Sequence, residues 1–203
     1  NKLEIIYNGF IFQKPKQKKI NSDKIVFTSI SRIIPYKGHS LLIEIFEKLF
    51  KKNNKIQLQI IGDTLPQYQN YLDKLKLNIK KRGLMNKIIF LGFRNDVMSI
   101  LGNTSFFIHT PLSHDPFPTV IFEAIQSKTP VITNNLGGAY EILNNGTNGL
   151  IIINDLINES VDNIYKYVEN HDLQKENIEN AFEYVCKNFT IENFEKKIIR
   201  IIG

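Results

Sequence analysis

His114-Asp115-Pro116-Phe117-Pro118-Thr119-Val120-Ile121-Phe122-Glu123-Ala124-Ile125-Gln126-Ser127-Lys128-Thr129-Pro130-Val131 reads as a loop, a helix and the entry to a strand. Pro116 and Pro118 disfavour the helical region for Asp115 and Phe117, so the loop is expected to be extended. Pro118 also suits the first position of a helix, where its missing N–H costs little. Val120, Ile121, Ala124 and Ile125 then lie three or four apart, the spacing of a helix that buries one face. Glu123 falls at the start of the second turn, on the same end of the helix as Asp115. Two acids thus gather beside a helix N-terminus whose free N–H groups suit an anion. The plain alternative is a helix start with a stray acid and a surface Glu123. However, Phe122 and Ala124 leave little room for a fully exposed face there, and the stretch is the expected ligand site.

Outward from this stretch the pattern repeats. Residues 105–109 form an apolar strand before it and 131–133 another after it. Upstream, residues 25–30 and 56–61 are continuous apolar runs of strand length, as in a parallel sheet covered on both faces. Between them Leu41, Leu42, Ile45, Phe46 and Leu49 mark a helix opened by Gly38 or His39. Helices are expected over 67–82, stopped by Gly83, and over about 96–101, with a strand at 87–91 between them. Gly137-Gly138 precedes a short helix to Leu143, and 149–153 is the last strand. Residues 3–7, followed by Asn8-Gly9, read as an opening strand and turn. Only helical patterns remain at the end, near 157–170, 174–186 and 190–202, with His171 in a polar linker. The alternation predicts a doubly wound parallel α/β sheet of about six strands, with helices on both faces and a helical C-terminal tail. In such sheets ligands bind beyond the carboxyl ends of the strands.

The 203 residues suit one domain, or at most two small ones, with an apolar fraction of 42% sufficient for one sizeable core. A formal charge of +6 suits an anionic partner: a nucleotide, a phosphorylated substrate, nucleic acid or acidic lipid. Lys14, Lys16, Lys18 and Lys19 read as a solvated loop, the alternative being a membrane or nucleic-acid patch. The lone Cys186 excludes an intramolecular disulfide and argues against a thiolate metal cage. His109 and His114 could be ligands or acid–base groups, but no His pair stands at metal spacing, so no metal site is expected. No apolar run approaches the roughly 18 residues that span a bilayer, and no signal peptide is read, so the expected location is the cytoplasm. The abrupt entry after Asn1 suggests a piece of a longer protein.

The strand ends carry the chemistry. After 25–30, Arg32 and Lys37 share one loop and could clasp a diphosphate, Arg through its planar fork and Lys as a point charge. They could equally be two solvated cations. After 87–91, Gly92 allows close backbone approach to a ligand such as a nucleobase, or makes a plain turn. After 131–133, Gly137-Gly138 could bring backbone N–H groups to phosphate oxygens, although turns also explain such pairs. No G-x-G-x-x-G occurs, so a dinucleotide fingerprint is excluded.

As a set these segments resemble the C-terminal, donor-binding domain of family 4 glycosyltransferases, which have the GT-B fold. Ile5-Ile6-Tyr7-Asn8-Gly9 resembles the family's P-N-G strand, and Ser31-Arg32 through Lys37-Gly38 its G-R-L-x-x-x-K-G segment. Ile60-Ile61-Gly62-Asp63 resembles I-V-G-D-G, and Phe90-Leu91-Gly92 resembles F-L-G. Asp115 to Val131 resembles the E-x7-E motif running on to E-A-M-A-x-G-x-P-V-V. Gly137-Gly138 with Glu141, Asn145-Gly146 and Asn148-Gly149-Leu150 resembles G-G-x-x-E-x-V-x-D-G-x-x-G-L. Phe189-Thr190-Ile191 resembles F-S-W. The chain differs in having Asp115 where the family has Glu, and Lys128 where it usually has a small residue or Gly.

The resemblance implies one nucleotide-sugar domain over residues 1–203, lacking an acceptor-binding N-terminal half and inactive in transfer without it. It implies a retaining transferase that needs no cofactor or divalent metal. The donor is a UDP- or GDP-sugar, and the acceptor a glycan or a lipid-linked sugar of a bacterial surface polysaccharide or lipopolysaccharide. By the same resemblance, Arg32 and Lys37 neutralise the departing diphosphate, Glu123 binds the ribose hydroxyls and Asp115 holds hydroxyls of the sugar. Backbone amides over Phe117, Pro118, Thr119 and Val120 would meet sugar or phosphate oxygens. Gly62, Gly137 and Gly138 would line the donor, and Phe93 with Arg94 would flank the base. A peripheral contact with an anionic membrane is expected, and nucleic acid is not, because aromatic–basic interleaving is absent. The rival readings are another GT-B-like enzyme, such as an epimerase or phosphorylase, and a module that binds nucleotide sugar without transfer.

Overall fold

The computed structural model describes residues 5–13 and 23–202. Its strands are β1 (Ile25–Ile30), β2 (Ile56–Ile61), β3 (Ile88–Gly92), β4 (Phe106–His109), β5 (Val131–Asn134) and β6 (Leu150–Ile152). They form one six-stranded sheet in the order β3-β2-β1-β4-β5-β6, with every pairing parallel. The helices are α1 (His39–Lys52), α2 (Gln69–Lys81), α3 (Val97–Leu101), α4 (Val120–Gln126), α5 (Gly138–Ile142), α6 (Ile157–Glu169), α7 (His171–Asn188) and α8 (Ile191–Ile202). Because parallel strands need crossovers, the helices cover both faces, and the strands can be apolar throughout.

Alternation along the strands divides the core in two. Phe27, Leu58, Ile60, Phe106, Ile108 and Ile132 pack with Phe46, Leu49, Leu75 and Ile164 of α1, α2 and α6. Ile30, Ile61, Phe107 and Val131 pack on the other face with Leu101, Ile121, Ile125, Ile142 and Val185 of α3, α4, α5 and α7. Each such side chain stabilises the fold by roughly 1.5–3 kcal/mol through burial. This is the doubly wound sheet that the alternation of apolar runs predicts.

Four local expectations need correction. Of the opening strand, Leu3 and Glu4 lie outside the described residues, and residues 5–7 join no strand. The segment is held instead by aromatic packing. Tyr7 stacks on Phe117 at 5.9 Å, and Phe10 stacks on Phe122 at 5.2 Å while donating its N–H to Phe189 O at 2.8 Å. A short apolar run cannot by itself say whether sheet or helix will cover it. His171 is no linker residue but opens α7, because the Asn170 side chain caps it by accepting the Leu173 N–H at 3.0 Å. The expected start at Gln67 belongs to a 3-10 turn, Pro66–Tyr68, before α2. Pro118 precedes α4 rather than opening it. Thr119 is the N-cap, and the Pro118 carbonyl accepts the Ile121 N–H at 3.1 Å in a tight first turn. Glu123 thereby falls in the first turn of α4. The lysine run at 14–19 lies outside the described residues. Among the described residues no helix is long and apolar enough to cross a membrane.

Candidate functional site

The strand order reverses at β1 and β4. The chain leaves β1 towards β2 and β3 on one side, and leaves β4 towards β5 and β6 on the other. Their connections diverge, which opens a crevice beyond the carboxyl ends of the two strands. A cleft of about 200 Å³ occupies it, lined by Ile30, Ser31, Arg32, Lys37, His109, Asp115 and residues 117–120. A wider, open hollow of about 660 Å³ runs along Tyr165 to Asp172. It lies where α6 ends and α7 begins, at the amino ends of the strands, so topology favours the smaller cleft.

The loops around the cleft interlock through backbone contact. Gly38 has φ 76°, and a Cβ there would stand 1.7 Å from Thr110 O, so the β1–α1 loop bearing Lys37 lies directly on the end of β4. Gly137 has φ 78°, and its Cβ would stand 2.3 Å from Asp115 O. The Gly138 N–H donates to that carbonyl at 2.9 Å. Any side chain at either position would push the Asp115 loop away. The paired glycines therefore fix Asp115, and the Gly138 N–H is already occupied by protein. Gly62, at the end of β2, packs in the same manner on Ser31 O.

Charge is concentrated at the centre. Lys37 Nζ is ion-paired with Asp115 Oδ2. His109 Nε2 stands 3.4 Å from the same oxygen, short of hydrogen-bond geometry. The imidazole of His109 first, and then Lys37, pull the Asp115 carboxyl down to about 2 against the opposing effect of burial. Arg32 is exposed and has no carboxylate partner among the described residues. Glu123 is half-buried, a turn along α4 from Thr119 and Val120, and desolvation raises its pKa. A carboxyl in that setting suits neutral hydroxyl donors better than a second anion. His39 is buried under the cleft with Nε2 3.3 Å from Ser31 Oγ, and burial lowers its pKa to about 4.

The structure thus brings Arg32, Lys37, Asp115, Phe117, Pro118, Thr119 and Val120 to one cleft, and places Gly62, Gly137 and Gly138 as its supports. Phe93 and Arg94 stand apart. They follow β3, the sheet edge, with β2 between it and β1; Phe93 is 72% exposed, and Arg94 holds Asp96 with two bonds of 2.8 and 2.7 Å. His109, a possible ligand or acid–base group in the sequence, lies at the cleft floor. The sequence offers His39 only as a helix-start residue and Ser31 only as part of the segment that holds Arg32 and Lys37. For His109 the available signal is a polar residue closing an apolar strand, Phe106-Phe107-Ile108-His109. Among the described residues no group of three metal-ligating side chains is gathered.

The model of the family described as "Glycosyl transferases group 1" matches residues 10–184. An uncharacterized glycosyltransferase of Methanocaldococcus jannaschii is 24% identical over 99% of this chain and 54% of its own length. The poly(ribitol-phosphate) alpha-N-acetylglucosaminyltransferase of Staphylococcus aureus is 26% identical over 92% of this chain and 36% of its own length. The chain therefore spans about half, or less, of the length of the curated relatives it matches. Among solved structures, Anabaena HepE in complex with UDP and glucose superposes with a TM-score of 0.81. It is 27% identical, over 89% of this chain and 48% of that one. With the family's model matched over most of its length, the chain belongs to the group 1 family of glycosyl transferases.

Proposed function

We propose that this chain is the donor-binding domain of a retaining glycosyltransferase that moves a sugar from a nucleoside diphosphate to a glycan or lipid-linked acceptor. The observation that carries the reading is the cleft at the β1/β4 switch point, where Arg32 and Lys37 flank the Asp115 loop. As the bond between the sugar and the diphosphate breaks, negative charge grows on the leaving phosphate. Arg32 and Lys37 stabilise it there, and no divalent metal is required. The Thr119 and Val120 N–H groups add further donors, those of Ile121 and Phe122 being taken by the Pro118 and Thr119 carbonyls. Asp115 orients sugar hydroxyls, and Glu123 accepts from the ribose.

The acceptor site and the rest of the transfer machinery belong to an N-terminal half, in keeping with relatives about twice as long. By this reading residues 1–203 bind donor but do not transfer. The named activities of the relatives, and the UDP bound by HepE, support a surface-polysaccharide or lipopolysaccharide role and a uridine nucleotide. A net charge of +6 suits work beside an anionic membrane on its cytoplasmic face.

Calorimetry with UDP-glucose, UDP-N-acetylglucosamine and GDP-mannose tests the reading. We expect at least one to bind. Glu123→Ala should weaken that binding by about 10- to 100-fold, the worth of hydrogen bonds to a charged group. Absence of binding to all three, or an unchanged affinity in Glu123→Ala, contradicts it.

A further inference from the structure

We propose that His109 is a positioning residue for Asp115: its imidazole holds Oδ2 of that carboxylate when Lys37 turns to a donor diphosphate, leaving Oδ1 aligned for a sugar hydroxyl. The inference rests on the donor-binding reading above and assigns to that site a residue for which the sequence offered no definite role.

His109 closes β4 and is only 2% exposed, its ring stacked 6.5 Å from Phe107 with an interplanar angle of 10°. A buried imidazole that completes no hydrogen bond at Nε2 requires a physical account, because such groups are nearly always satisfied. The neighbouring unpartnered atoms, Thr110 Oγ1 and Thr133 Oγ1, also stand at the carboxyl ends of β4 and β5. Of the three, His109 is the one that lines the cleft. Both side-chain contacts of the Asp115 carboxylate, from Lys37 and from His109, fall on Oδ2. Lys37 satisfies that oxygen in this structure. Once an anion competes for Lys37, His109 is the group already within 3.4 Å that can take its place. A short rotation of the carboxylate completes the bond, with Nε2–H donating. Lys37 and Asp115 can then act on two different parts of one donor instead of on each other.

The test compares His109→Leu and His109→Gln, the latter keeping an N–H donor near the position of Nε2. Affinities are measured for the tightest-binding of UDP-glucose, UDP-N-acetylglucosamine and GDP-mannose, and for its bare nucleoside diphosphate. We expect His109→Leu to weaken the nucleotide sugar about 10-fold more than the diphosphate, and His109→Gln to restore most of that difference. In an Asp115→Asn background His109→Leu should add no further selective loss. Equal losses for both ligands, or a glutamine variant as selective in its loss as leucine, would overturn the positioning role while leaving the donor site intact. If His109→Leu does not fold, His109→Gln against wild type still decides. Near-native discrimination supports the role, and a selective loss as large as about 10-fold overturns it. A wild-type chain that binds none of these ligands sinks both readings.

Discussion

Asp115 and Glu123 stand eight positions apart, yet their environments differ in a way that bears on their roles. Asp115 sits between a lysine and a histidine that hold it ionised, whereas Glu123 is half-buried and its pKa is raised by desolvation alone. His39 offers a pH test. Its pKa falls from the ordinary 6.5 to about 4 because burial disfavours the imidazolium. The unfolded chain therefore binds this proton more tightly, and the stability His39 contributes is complete above about pH 6.5 and lost as pH falls through 4. We expect thermal stability to fall over that window, and His39→Gln to flatten the fall by on the order of 3 kcal/mol at most. Melting curves from pH 7 to 4 check this; parallel curves for the two proteins would contradict it. At this scale the sequence named Arg32, Lys37 and Asp115 by type and spacing. It could not show that Lys37 and Asp115 would pair, 78 positions apart at the ends of two strands, nor that the loop after β4 would fold back to set Asp115 against His109.

The elements carry a second lesson. The strands and long helices were legible because continuous apolar runs alternate with helical apolar periods, several of them punctuated by glycine, as at Gly38, Gly62, Gly83 and Gly92. Residues 5–12 were not, because their packing is tertiary. Tyr7, Phe10 and Phe12 join Phe117, Phe122 and Phe189 in one aromatic cluster under α4. Phe122 is fully buried at its centre, with ring centroids of Phe10, Phe117 and Phe189 at 5.2, 5.2 and 5.3 Å. Phe122→Ala should cost about 3–5 kcal/mol, the range for emptying an aromatic site in a core. Since Phe117 lines the cleft, we also expect weaker nucleotide-sugar binding. Urea midpoints measured with an unchanged slope would report the first effect and calorimetry the second. A loss below about 1 kcal/mol would mean that the cluster collapses around the gap, and that α4 is held by other contacts. The glycines add a related point. Gly137-Gly138 is open in sequence to a phosphate approach or a turn, and in the fold it clamps the Asp115 backbone.

For the molecule as a whole, the order β3-β2-β1-β4-β5-β6 determines where chemistry can gather. It places the loops after β1 and β4 side by side, so residues near 32–37 and 109–120 share one crevice although about 80 positions separate them. It leaves Phe93 and Arg94 at the sheet edge, where a base could meet them only if the donor extends across β2. The central claim is that the crevice is a diphosphate site, and it is tested most directly by calorimetry on wild type and on Arg32→Ala combined with Lys37→Ala. Uridine and UDP are the paired ligands. We expect the double variant to lose at least about 10-fold in affinity for UDP, one charge-assisted contact at the least, while uridine binds as before. Equal losses for uridine and UDP, or none for either, would contradict it.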